Sequence, residues 1–237
     1  ETYKNNSIMS NNKIKLAITH GDINGVGYEV IIKTFSDNRM MDVCTPILYG
    51  SSKVASYHKK LLKNELNLTN IKDASAIIDK KFNVINITNE EVKIDLGKST
   101  EVAGQLSLKS LDCACDDLMK NNVDVLVTAP INKKNIQCKD FVFPGHTEYL
   151  SNKFDSDSLM MMVCDRIRIG IVTSHLALRD VPIKITKEML LRKIEIMNTS
   201  LKQDFGISMP KIAVLALNPH AGDNGVINGV RRLLYEV

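Results

Sequence analysis

The chain has 237 residues, 44% hydrophobic and 24% charged, which is ordinary for a globular protein with one large core or two smaller ones. Its net charge of +4 comes from 31 basic and 27 acidic residues, and the lysines are scattered, which argues against nucleic acid and leaves small acidic molecules as partners. No apolar run reaches transmembrane length and none resembles a signal-peptide core, so the expectation is no membrane partner and a cytoplasmic location.

Residues 1–12 are polar and aperiodic and are expected to form a disordered N-terminal extension, with Met9 a candidate natural start. Residues 13–237 read as one α/β unit whose internal boundary the sequence does not mark. Lys13 to Thr19 is a short apolar strand, followed by the glycine-rich turn Gly21 to Gly27 and a helix through Phe35. Pro46 to Gly50 is a second strand, and Ser51 caps a helix that runs toward Leu62. Val84 to Ile87 is a further strand, whereas Glu65 to Lys81 lacks a period and is unassigned.

From Gly104 to Asn121 the pattern is helical, with Leu111, Cys115 and Leu118 at spacings of four and three. Asp124 to Thr128 is expected as a compact buried strand, and Ala129 to Lys133 opens the next element. Leu159 to Val163 and Ile167 to Thr173 are strands joined by a tight hairpin at Asp165-Arg166. Thr186 starts a long helix to about Phe205, which Gly206 terminates, and Ile212 to Leu217 is a final buried strand. Strands alternating with helices predict an α/β protein with a largely parallel sheet.

The candidate chemistry lies at strand ends, where open α/β sheets bind their ligands. His220 follows the last strand in Asn218-Pro219-His220-Ala221-Gly222-Asp223, and His175 follows Ile167 to Thr173. They are 45 residues apart, which matches no local zinc-finger spacing, but two strand-end imidazoles can converge. Asp180 and Asp223 are near them in sequence and can complete or orient such a site. Pro144-Gly145 makes a turn that presents His146 and Thr147 at the start of a short helix. That pair can hold a substrate hydroxyl, carboxylate or phosphate, or Thr147 can simply cap the helix.

The loop Gly21-Asp22-Ile23-Asn24-Gly25-Val26-Gly27 does not fit G-x-G-x-x-G and lacks a Walker lysine. His20 is expected as a capping or surface histidine, and His58, within Tyr57-His58-Lys59-Lys60, as a solvated one. Five cysteines at irregular spacing form no disulfide framework, and Cys113 and Cys115 read as ordinary thiols rather than a metal pair.

Taken together, the motifs THGDINGVGYE (19–29), VTAPINK (127–133), PGHTEYL (144–150), TSHLALRD (173–180) and LNPHAGDNG (217–225) resemble the 4-hydroxythreonine-4-phosphate dehydrogenase family of pyridoxal phosphate biosynthesis. The resemblance implies a three-layer α/β/α fold of the isocitrate/isopropylmalate dehydrogenase type. It also implies a homodimer with its active site at the subunit interface. By motif match His175 and His220 would be metal ligands, and His146 and Thr147 substrate contacts. The implied reaction is NAD-dependent oxidation of 4-phosphooxy-L-threonine, with a divalent metal (Zn, Mg or Co), followed by loss of carbon dioxide. The product would be 3-amino-2-oxopropyl phosphate.

Two departures accompany it. The family's first loop usually carries proline where this chain has His20 and Tyr28. Family members also continue past the point corresponding to Val237, with a third metal histidine, phosphate-contact residues and much of the cofactor site, so the chain reads as lacking the C-terminal part of the fold. Three alternatives stand beside the leading reading. One is a dehydrogenase of threonate or erythronate 4-phosphate, and another is a non-catalytic binding fragment. The third is a zinc hydrolase, which lacks an H-E-x-x-H helix or a nucleophile elbow to support it.

Overall fold

The computed structural model describes residues 13–217, which form two compact units, one ending at Tyr149 and one beginning at Leu150. The N-terminal extension and the motif residues from Asn218 onward, His220 and Asp223 included, lie outside the described residues.

The first unit is a five-stranded parallel sheet in the order β3-β4-β2-β1-β5. Its strands are β1 (Ile14–Thr19), β2 (Cys44–Gly50), β3 (Leu68–Ile71), β4 (Phe82–Asn86) and β5 (Val125–Thr128). The helices are α1 (Gly27–Phe35), the short α2 (Met40–Val43), α3 (Ser52–Leu61) and α4 (Glu101–Met119), with α5 (His146–Lys153) spanning the junction of the units.

All seven residues of β2 are buried, as befits a strand covered on both faces. Alternation sorts the core. Ile18, Leu48, Phe82 and Val84 face Ile31, Ile32 and Phe35 of α1 and Val54 and Ala55 of α3. Ala17, Ile47 and Tyr49 face the opposite side, where Ala114 and Leu118 of α4 pack. Helix starts follow the sequence chemistry: Ser51 Oγ accepts from Val54 N–H, and Thr100 Oγ1 accepts from Ala103 N–H.

The second unit contains β6 (Met160–Val163) and β7 (Arg168–Ile171), paired antiparallel as the hairpin at Asp165-Arg166 predicts. After β7 come the short α6 (Val181–Lys184) and α7 (Lys187–Gln203). Thr186 Oγ1 caps α7 by accepting from Met189 N–H at 3.1 Å, and Gly206 follows it with φ +66°.

Several expectations are corrected. The unassigned stretch holds β3, a four-residue edge strand too short and too polar to show a period. The expected buried strand at Asp124 to Thr128 is, among the described residues, an edge strand paired to β1 alone, with Val125 41% and Val127 50% exposed. Ile212 to Leu217 is not a strand, because no described segment offers it a ladder, and Leu215 is 87% exposed.

The two histidines read as capping or solvated residues are both buried, His20 at 1% exposure and His58 at 4%. They flank Tyr28 in a three-ring stack, with centroids 5.3 Å apart on the His20 side and 5.1 Å on the His58 side. His58 Nε2 bonds the Ile23 carbonyl at 2.9 Å, and the Tyr28 hydroxyl accepts from Ser51 N–H at 3.0 Å. The two positions where the chain departs from family prolines are therefore filled by rings that pack on each other.

Burial pushes the His20 imidazole down to about 4, aided by the nearby His58 and partly opposed by the backbone of Gly21 and Leu106. The folded-state value lies below the unfolded one, so the unfolded chain takes up the proton first as pH falls. Stability is full above about pH 6.5 and is lost as pH drops toward 4. The loss is about 2 kcal/mol by pH 5. Guanidinium unfolding at pH 7.5 and 5.0 checks this, with His20→Phe as the comparison; equal pH dependence in both proteins would remove the assignment.

Candidate functional site

The order β3-β4-β2-β1-β5 places β1 between a strand that follows it directly and one reached only after β4, so the chain reverses direction across the sheet beside β1. Crevices at such switch points, beyond the carboxyl ends of the strands, are where open α/β sheets take ligands. Here the loops after β1 and β5 meet at that point. Asp22 N–H donates to the Pro130 carbonyl at 2.9 Å, and Ala129 N–H to the Thr19 carbonyl at 3.0 Å. Gly21 has φ +69°, and a Cβ on it would lie 2.2 Å from the Pro130 oxygen, so only glycine permits this approach.

Buried polar groups hold the loop in shape. Asp22 Oδ1 accepts from Asn24 N–H at 2.8 Å, and its Oδ2 accepts from Asn135 Nδ2 at 3.1 Å. Asn24 Nδ2 donates to the Lys98 carbonyl and to Thr100 Oγ1, each at 3.0 Å, and Asn24 Oδ1 accepts from Asp95 N–H at 2.8 Å. Ser107 Oγ donates to the Gly21 carbonyl at 2.6 Å. The result is a cleft of about 390 Å³ whose lining includes Asp22, Asn24, Gly25, Lys98, Pro130 and Asn132. Glycine-lined backbone, a carboxylate, two amides and one lysine suit a ligand with hydroxyls and an anionic linkage. Sequence reading saw the glycine turn but not this cleft, because Lys98 and Asn132 come to it from distant segments; the Asp22-x-Asn24 spacing was the one local signal.

The second constellation surrounds α5, which begins at His146, so the expected placement of His146 and Thr147 at a helix start is met. Aromatic packing fixes that start. Phe141 stacks on Tyr149 at 5.2 Å and Phe143 meets both rings edge-on at 5.7 Å. Tyr149 Oη donates to Asp112 Oδ1 of α4 at 2.6 Å. His146 Nε2 is buried and has no hydrogen-bond partner among the described residues. Burial, and then the nearby Lys133 ammonium, hold the imidazole below its ordinary range, so it is neutral at pH 7. A neutral, half-buried imidazole can accept or donate one hydrogen bond to a bound molecule.

In the second unit, His175 is exposed beyond the end of β7 and has φ +56°. Histidine is among the few non-glycine residues found in that region, and such conformations concentrate at functional sites. Asp180 is paired with Arg179 at 3.8 Å. Among the described residues no three His, Cys, Asp or Glu side chains form a metal-holding group, and His220 lies outside them. Cys113 and Cys115 join no disulfide. No described helix is long and apolar enough to cross a membrane.

Comparison with known proteins adds to this geometry. The family model described as pyridoxal phosphate biosynthetic protein PdxA matches residues 42–229. A 4-hydroxythreonine-4-phosphate dehydrogenase of Bacteroides thetaiotaomicron is 48% identical over 221 residues, covering 92% of this chain and 61% of the relative. A Fusobacterium nucleatum relative, 32% identical over 218 residues (90% of this chain, 65% of the relative), is named provisionally as a D-threonate 4-phosphate dehydrogenase. The crystal structure of a 4-hydroxythreonine-4-phosphate dehydrogenase from Burkholderia phymatum superposes with TM-score 0.80 at 29% identity, covering 90% of this chain and 66% of that one. The chain thus spans between three fifths and two thirds of the length of these proteins.

Proposed function

The chain belongs to the PdxA family of pyridoxal phosphate biosynthetic proteins, and from that membership we propose that the protein is a metal- and NAD-dependent 4-hydroxythreonine-4-phosphate dehydrogenase. The observation that carries this reading is the family match over residues 42–229, with a 48% identical relative of that name. The substrate is 4-phosphooxy-L-threonine and the product 3-amino-2-oxopropyl phosphate. The working form is a cytoplasmic homodimer with its active site at the subunit interface.

The roles follow from residue chemistry. His146 and Thr147, at the start of α5, orient the substrate through hydrogen bonds. Neutral His146 can accept a proton at Nε2 or hold a substrate hydroxyl there. His175 and His220 are the metal ligands, and imidazole nitrogens suit zinc and similar divalent ions. When bound, a divalent ion held by these residues would lower the pKa of the reacting hydroxyl, and a nicotinamide would supply the hydride acceptor. For part of the cofactor we assign the cleft between the loops after β1 and β5, where Asp22 can accept from ribose hydroxyls and Lys98 can face the phosphates.

The test is NAD reduction by the full-length gene product with 4-phosphooxy-L-threonine, with and without added Zn, Mg or Co. Metal-dependent turnover is expected. A panel in which D-threonate 4-phosphate clearly outpaced the threonine compound would move the assignment to the second reading, which the Fusobacterium relative favours.

A further inference from the structure

We propose that Lys133 is a substrate-binding residue that, with His146, seats an anionic oxygen group of the substrate at the start of α5; this rests on the dehydrogenase reading above. Three observations place it there. A Cβ on Gly145 would lie 3.6 Å from Lys133 Cε and 3.7 Å from Nζ, so the lysine reaches across the bare glycine that precedes α5. The same point is 3.8 Å from Glu148 Oε2, so a cation and a carboxylate face each other over Gly145. Next to Gly145, His146 Nε2 is buried and lacks a partner within the described residues.

Lys133 is exposed, so its ammonium is open to an incoming anion, while the end of its side chain lies over buried Gly145 beside an imidazole whose Nε2 has no partner among the described residues. The backbone N–H groups of the first turn of α5 also favour negative charge. Glu148 offsets part of the lysine charge, which suits reversible capture of an anion rather than permanent occupancy. The position has a structural basis in sequence: Lys133 ends the loop that begins at Ala129, and Asn132 Oδ1 turns that loop by accepting from Lys134 N–H at 3.0 Å.

The experiment uses the full-length gene product with Lys133→Met, which keeps the aliphatic stem over Gly145, and Lys133→Arg, which restores the cation. Steady-state kinetics with 4-phosphooxy-L-threonine should show KM raised on the order of 10- to 100-fold in the Met variant, the loss of one charge-assisted hydrogen bond. Its kcat should stay within a few-fold, and the Arg variant should regain most of the loss. Inorganic phosphate and malonate, as competing probes, identify which anionic group is seated. The probe that binds the wild type should weaken by the same factor in the Met variant.

Unchanged KM and probe binding in a Met variant with wild-type Tm overturns the proposal, as does failure of both probes to bind the wild type. A wild-type protein that binds a probe through Lys133 but turns over no phosphorylated hydroxy acid leaves the anion seat standing and removes the dehydrogenase reading instead.

Discussion

Replacing His175 in the full-length gene product is expected to lower metal-dependent turnover by roughly 10³-fold or more. A divalent ion at a developing alkoxide contributes several kcal/mol, and each 1.4 kcal/mol is a factor of ten in rate. Two substitutions separate the ligand from the backbone. His175 has φ +56°, which alanine tolerates poorly, whereas asparagine adopts it with less strain. His175→Asn therefore removes the imidazole while keeping the local conformation, and His175→Ala adds a folding cost. Both should lose bound metal, measured by elemental analysis after dialysis, together with activity. His220→Ala should behave the same way. Wild-type turnover and metal content in His175→Asn would remove the metal assignment.

Gly104→Ala is expected to destabilise the first unit by about 2 kcal/mol, against the ordinary trend for a helix interior. Helix propensity alone favours alanine over glycine by about 1 kcal/mol. Here a Cβ would sit 1.9 Å from the Asn135 carbonyl oxygen and 2.4 Å from its carbon, both backbone atoms with no rotamer to escape into. Overpacking of this kind typically costs about 1–3 kcal/mol, and a contact this short belongs at or above the top of that range. The consequence reaches the cleft. Asn135 Nδ2 donates to Asp22 Oδ2 at 3.1 Å, so a displaced Asn135 releases the carboxylate that lines the switch point. Guanidinium unfolding should show a lower midpoint with an unchanged slope, and cofactor affinity should fall with it. A midpoint equal to or above wild type would show that α4 and the 132–136 loop can separate at no cost.

The two predictions start from different kinds of signal. His175 is conspicuous in sequence as a histidine in a polar turn after a strand-like run. Gly104 carries no such signal, since nothing near it in sequence indicates that a loop thirty residues later will press on its Cα.

Much of the architecture was set by local chemistry and is legible without coordinates. Ser51 and Thr186 cap their helices because a hydroxyl at that position satisfies an amide the helix leaves open. The β6–β7 hairpin follows from two short apolar runs around Asp165-Arg166. The placement of His146 and Thr147 at a helix start follows from Pro144-Gly145. Family membership was likewise written in motif order, because chemistry at strand ends constrains residue types over short spans.

Tertiary structure decided whatever depended on a partner. Apolar character made Val125 to Thr128 and Ile212 to Leu217 look alike. One has β1 beside it and is a strand at the sheet edge, and the other has no ladder among the described residues and is not. His20 and His58 read as polar surface residues because charge and polarity are local properties, while the ring stack that buries them requires Tyr28 to arrive between them. The cleft of Asp22, Asn24, Lys98 and Asn132 joins segments that the parallel sheet brings to one edge, and the meeting of Lys133 with Gly145 depends on how the single connection from β5 to α5 folds back on itself. Sequence determines what each residue can do; which residues do it together is set by strand order, since a hydrogen-bonded neighbour and a buried face exist only once the sheet is formed.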